Sequence, residues 1–160
     1  MQYCRQLIVL LCAVWLTSCD NPFSSVPRYP VSMTVDTHTG IYVHFTPEAL
    51  NTFVLLDRDG YHYNGHTEPL TVMDAYGYGG VVLYVDMLGN YNAWDIACPN
   101  CASKGRRQPC DIDAPFALCP HCGEQYDLGS GTSAPQKGIA KEFLLRLPVV
   151  NSGGRITVKQ

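Results

Sequence analysis

Ile96-Ala97-Cys98-Pro99-Asn100-Cys101 and Ala117-Leu118-Cys119-Pro120-His121-Cys122-Gly123 are near-copies of one segment, set 21 residues apart in the chain. Each runs from an apolar strand into a Cys-Pro-x-Cys tight turn. Two cysteines separated by two residues aim both sulfurs into one pocket, where N–H groups of the turn stabilise thiolate charge. Proline in second place fixes φ without taking a needed donor. Gly123 supplies the positive φ that closes such a turn. With residues 102–118 between them, the two turns read C-x2-C-x17-C-x2-C, a spacing that closes a tetrahedral four-thiolate shell. Cys98, Cys101, Cys119 and Cys122 are the candidate metal ligands. Two local disulfides are the alternative in an oxidising compartment, but a bridge across so short a loop constrains the unfolded chain little. A thioredoxin-type redox pair needs a βαβ setting, which neither turn has.

Outward from the turns, the chain reads as short strands. Residues 81–85 (VVLYV), 91–97, 116–118 and 124–128 lead into and out of the cysteine turns, and residues 142–150 and 155–158 close the domain. Upstream, residues 31–35 and 41–45 read as strands about a turn. In the second, Ile41, Val43 and Phe45 alternate with Tyr42 and His44. Thr46-Pro47 offers an N-cap followed by proline at the first helical position, which predicts a short helix over residues 47–56. Residues 61–69 and 129–138 read as loops. The Gly-rich run Tyr76-Gly77-Tyr78-Gly79-Gly80 lacks a following helix and a Lys-Ser/Thr pair, which excludes a phosphate loop and leaves a bulge or a tight strand entry. The expected fold class is all-β.

The N-terminal residues read as an address. Arg5 gives a positive start, residues 7–16 are a run of ten apolar residues, and Leu16-Thr17-Ser18-Cys19 follows. That run is too short to span a bilayer but suits a secretory signal. Its end resembles the lipobox of bacterial lipoproteins, which implies acylation at Cys19 and a lipid anchor in a bacterial cell envelope, on the periplasmic or outer-surface face. The expected organisation is a signal over residues 1–18, an acylated cysteine and Pro-rich tether over 19–30, and one domain over 31–160, with a metal-binding tip at about residues 94–128. The 160-residue chain carries a formal charge of −3, so nothing in it favours a nucleic-acid partner.

At the cysteine turns the chain resembles a Rieske-type iron–sulfur domain, from about Gly77 to the C-terminus. Residues 79–99 (GGVVLYVDMLGNYNAWDIACP) are similar to the strand pair entering the first cluster loop, and Cys119-Pro-x-x-Gly123 with residues 124–128 to the second loop and its exit. Ser133-Ala134-Pro135-x-x-Gly138 resembles the third, proline-bearing loop, and residues 143–149 and 155–158 the closing strands. The resemblance implies a small antiparallel β-sandwich with a rubredoxin- or zinc-ribbon-like tip. A Rieske site uses Cys-x-His and Cys-x-x-His. Here Asn100 and Cys122 stand at the two histidine positions, and Cys101 is added, so a His2Cys2 centre is excluded. What remains is a Cys4 zinc site or a Cys4 [2Fe–2S] cluster. The lone Arg5, without a twin-arginine pair, favours unfolded export and later capture of a divalent ion, hence zinc.

Among the other candidates, His121 inside the second turn reads as a bystander. Cys110 reads as a loop cysteine without a role, beside Lys104, Arg106 and Arg107, which would lower a thiol pKa. No catalytic set stands out, and a closed four-thiolate shell leaves no open position for a substrate. A structural or binding module is the first functional reading, and an electron-transfer protein serving a redox or envelope partner is the alternative.

Overall fold

The computed structural model describes residues 24–160. The readings that concern residues 7–16 and Cys19 lie outside the described residues. The chain folds into three antiparallel sheets, with strands numbered in chain order. The outer sheet has the order β13 (Val149–Ser152), β14 (Arg155–Lys159), β1 (Val31–Asp36), β5 (Ala75–Tyr76). The central sheet has the order β12 (Leu145–Leu147), β7 (Tyr91–Asp95), β6 (Val81–Val85), β2 (Phe53–Asp57), β3 (Gly60–Tyr63), β4 (His66–Glu68). The third is β11 (Ala134–Lys137), β10 (Gln125–Asp127), β9 (Phe116–Leu118), β8 (Asp111–Asp113). The all-β expectation holds.

The unbroken apolar run of β6 follows from its place. Val81, Leu83 and Val85 pack with Met33, Val35, Ile156 and Val158 of the outer sheet, while Val82 and Tyr84 face Trp94, Tyr126 and the cysteines. A strand buried on both faces needs apolar side chains at every position rather than at alternate ones. The central sheet is thus covered on one face by the outer sheet and on the other by the small cysteine-bearing sheet.

Five expectations from the sequence are corrected. Residues 41–45 are not a strand: Gly40–His44 is a 3-10 helix, and Tyr42 and Phe45, three apart, turn into the core while Val43 faces solvent. The expected helix over 47–56 is absent, because tight turns from Thr46 end at Asn51, whose φ of 59° leaves the helical region, and Phe53 then starts a strand paired with β6. Residues 61–69 hold the β3–β4 hairpin, turned at Asn64 and Gly65 with φ of 47° and 78°; two successive positive φ values are what a type I′ hairpin turn requires. Residues 129–138 include β11, paired to β10. The strand expected over 142–150 is two strands. β12 pairs with β7 and β13 with β14, and Pro148 stands between them where the chain passes from the central to the outer sheet.

Residues 24–30, the described part of the segment read as a tether, lie on the domain. Val26 is buried against Ala97 and Leu145, and the Tyr29 and Tyr78 rings are 5.3 Å apart.

Candidate metal centre

The first turn is held from both sides. β7 delivers residues 96–98, the Cys98 N–H donates to the Gln108 carbonyl at 2.8 Å, and Ala97 bridges Pro109. Cys98 caps a single helical turn, α1 (Pro99–Ala102), with Pro99 at its first position. Pro99 loses no hydrogen bond there, since the first N–H groups of a helix have no partner within it. The second turn closes by Gly123 N–H to the Cys119 carbonyl at 2.9 Å, with Gly123 at φ 74°, and Cys119 N–H donates to the Glu124 carbonyl at 2.8 Å.

The four sulfurs converge: those of Cys98, Cys101, Cys119 and Cys122 all lie within 4.8 Å of one another. Cys98 and Cys122 are 3.6 Å apart and Cys101 and Cys119 3.7 Å apart, so each contact joins one turn to the other. Three of the four are buried and Cys122 is half-buried. The thiols do not share charge equally. Cys98 is pulled down to about 4, first by the facing Cys110 thiol, then by the Tyr126 hydroxyl, the Cys101 N–H and Cys122, against the opposing effect of burial. The Tyr126 hydroxyl stands 3.5 Å from its sulfur. Burial pushes Cys119 up to about 11, although the N–H groups of Cys122 and His121 point at it, and burial with the neighbouring thiols holds Cys101 higher still. Cys98, Cys101 and Cys119 titrate together, with Cys98 the first of these three to become a thiolate.

Cys110 departs from its expected place. It is 3% exposed, not a solvated loop residue, and its N–H donates to the Ile96 carbonyl at 2.8 Å. The Ala97–Pro109 bridge makes Cys110 and Cys98 diagonal neighbours on one face of the strand pair. The facing Cys98 and burial push the Cys110 thiol well above its usual range, the opposite of the lowering expected from the basic loop. Arg107 from that loop lies over the Tyr78 and Tyr76 rings, at 5.5 and 5.8 Å from their centres.

Two buried carboxylates that carried no sequence signal brace the turns. Glu124, 1% exposed, accepts N–H groups of Ile139 at 2.8 Å and Ala140 at 3.0 Å, and the Asn100 amide at 3.3 Å. It ties the exit of the second turn to the first turn and to the segment after β11. Asp95 accepts N–H groups of Tyr78 at 2.6 Å, Gly79 at 2.8 Å and Ala97 at 2.9 Å, anchoring the Gly-rich run to the entry of the first turn. Asn100 therefore points to Glu124, and His121 is exposed in the second turn, outside the cysteine group. Among the described residues, no other group of His, Cys, Asp and Glu converges in this way.

No protein-family model matches the chain, and no curated protein matches it. Among solved structures, a ferredoxin of Sphingomonas yanoikuyae B1 matches 72% of this chain and 93% of its own, at 13% identity and a TM-score of 0.40. Four converging cysteines on an all-β scaffold form a site that could hold a metal ion.

Proposed function

We propose that the chain is an exported lipoprotein, anchored at Cys19, whose Rieske-like domain holds one zinc ion on Cys98, Cys101, Cys119 and Cys122, with the ion serving to fix the two turns. The spacing of the sulfurs carries this reading. Zinc–thiolate bonds of about 2.3 Å in a tetrahedron place every pair of sulfurs roughly 3.8 Å apart. The four sulfurs here all stand within 4.8 Å, with contacts of 3.6 and 3.7 Å. In a [2Fe–2S] cluster two thiolates sit on each of two irons, and pairs on different irons are separated further by the bridged iron pair. One ion at the centre suits four sulfurs that all stand this close to one another.

Electron transfer is the second reading. One observation favours it: Cys122 alone of the four is not fully buried, which gives the centre one solvent-near edge. Metal analysis with the absorption spectrum separates the two. The expected result is one equivalent of zinc in a colourless protein that loses it to chelator with loosening of the tip. Two irons with acid-labile sulfide and visible charge-transfer bands would overturn zinc and establish the electron-transfer reading.

A further inference from the structure

The chain arrives at the metal centre before it enters the sandwich. The N–H and hydroxyl of Ser25 donate to the Glu142 carboxylate at 2.7 and 2.8 Å. Val26, 2% exposed, packs on Ala97 and Leu145 beside Tyr78 and Ala102. Ala97 directly precedes Cys98, so this docking lies at the base of the cysteine turns. From Cys19 to Ser24 is a span of five residues, which reaches at most about 18 Å when fully extended. An acyl anchor at Cys19 therefore holds the domain closely, and by this side.

That side carries an apolar and basic rim. Glu142 lies within Lys137-Gly138-Ile139-Ala140-Lys141-Glu142-Phe143, in which Ile139 is 79% and Phe143 45% exposed. Lys137 and Lys141 are exposed between and beside them, and the carboxylate of Glu142 is taken up by Ser25. Lys104 and Arg106, also exposed, follow closely after Ala102, which packs beside Val26. Large apolar side chains rimmed by lysine and arginine suit the boundary of an anionic bilayer, where the apolar groups enter the headgroup layer and the cations meet acidic headgroups.

We propose that this rim lies on an anionic lipid surface, so that the lipid anchor and the Lys137-to-Phe143 segment together turn the metal centre toward the membrane. The inference rests on the reading of Cys19 as the acylated residue. Four cations and two apolar side chains supplement an acyl anchor rather than replace it, and they set the orientation that the anchor alone leaves free.

The test uses the full chain, produced in an acylating bacterium and reconstituted in vesicles of phosphatidylglycerol and phosphatidylcholine with brominated acyl chains. Ile139→Trp places a quenchable reporter in the rim. Val150→Trp, at a position 62% exposed on the outer sheet, is the control, and the parent protein gives the baseline. The expected result is several-fold stronger quenching of I139W than of V150W, reduced toward the control by K137E with K141E. Mass analysis showing Cys19 unmodified overturns the anchor reading and this inference with it. Acylated protein in which I139W is quenched no more than V150W overturns the lipid-facing rim and leaves the anchor standing.

Discussion

Glu124→Gln is the sharpest test of how the tip is braced. The side chain is 1% exposed, and its two oxygens accept the Ile139 and Ala140 N–H groups and the Asn100 amide. Glutamine keeps the shape but has one acceptor oxygen, so its NH2 faces one of the two backbone donors. A buried N–H left without a partner costs about 1–3 kcal/mol. Taking the middle of that range, about 2 kcal/mol, the melting temperature of a domain this size falls by roughly 6–8 °C. Because the lost bond joins the turns to the segment after β11, transfer of metal to a competing chelator should quicken as well. Glu124→Ala strands both N–H groups and leaves a void, for a total of about 3–5 kcal/mol. Gly138→Ala probes the same contact from the other side, since a Cβ there would stand 2.1 Å from Glu124 Oε2, on a backbone at φ 108°. Its cost should be smaller in the Glu124→Ala background than in the parent, a coupling that a double-mutant cycle reads directly. Urea unfolding at fixed free metal is the assay. A Glu124→Gln protein within about 0.5 kcal/mol of the parent, the range of ordinary surface substitutions, with unchanged metal transfer would refute the bracing role.

Metal affinity should rise with pH. Cys98, drawn down to about 4, is already a thiolate at neutral pH, whereas Cys119 at about 11 and Cys101 above it keep their protons without metal. Binding must displace at least those two protons, so apparent affinity should gain about two powers of ten per pH unit between roughly pH 6 and 8 and weaken toward acid. A chelator-competition titration with a slope near zero would contradict this. Changing any one of Cys98, Cys101, Cys119 or Cys122 to Ser should release the metal, while Cys110→Ser should retain one equivalent on elemental analysis; a Cys122→Ser protein with full metal content sinks the four-ligand assignment. Gly79→Ala should cost about 2–3 kcal/mol and weaken metal binding, because its Cβ would stand 2.3 Å from the Ala97 backbone nitrogen, just before Cys98. Gly153→Ala, where a Cβ meets open space, carries only the strain of φ 57° and should cost about 1 kcal/mol on thermal unfolding.

The parts of the fold that were legible in sequence are those with local causes. The Cys-Pro-x-Cys turns carry their own punctuation, and Gly123 adopts the positive φ expected of it. The run VVLYV announces a strand whatever packs on it. Other signals were present but outweighed. Asn64-Gly65 is a hairpin turn in plain view, hidden by the polar and aromatic residues around it. The alternation of Ile41, Val43 and Phe45 pointed to a strand, yet the residues that turn inward are Tyr42 and Phe45, at the three-residue period of a 3-10 turn. Cys110 looked solvated because its neighbours Arg106, Arg107 and Gln108 are polar. Its burial comes from pairing across to residues 96–98, which no local pattern records. Glu124 and Asp95 were silent for a related reason: a buried carboxylate is explained only by the N–H groups that meet it, and all of the backbone donors but Ala97 come from segments 15 to 17 residues away.

The loudest sequence signal falls in the part of the fold least able to stand alone. The outer and central sheets share a core of Val, Leu, Met, Phe and Tyr side chains, and that packing needs no ion. The third sheet has strands of only three or four residues, and much of its apolar contact is made by Cys98, Cys101, Cys110 and Cys119. Strands so short do not hold together without a hydrophobic face or a cross-link. An ion on four thiolates from two turns is such a cross-link, since the free energy of binding it becomes free energy of folding. The surrounding donors then have a reason to be where they are. Four converging thiolates repel one another, and the Tyr126 hydroxyl, the N–H groups of Cys101, His121 and Cys122, and the Cys110 thiol all face that charge. The cysteine motif can be read from spacing alone because metal geometry dictates it. The residues that make the site tolerable to the fold are dispersed along the chain, and only the folded arrangement brings them together.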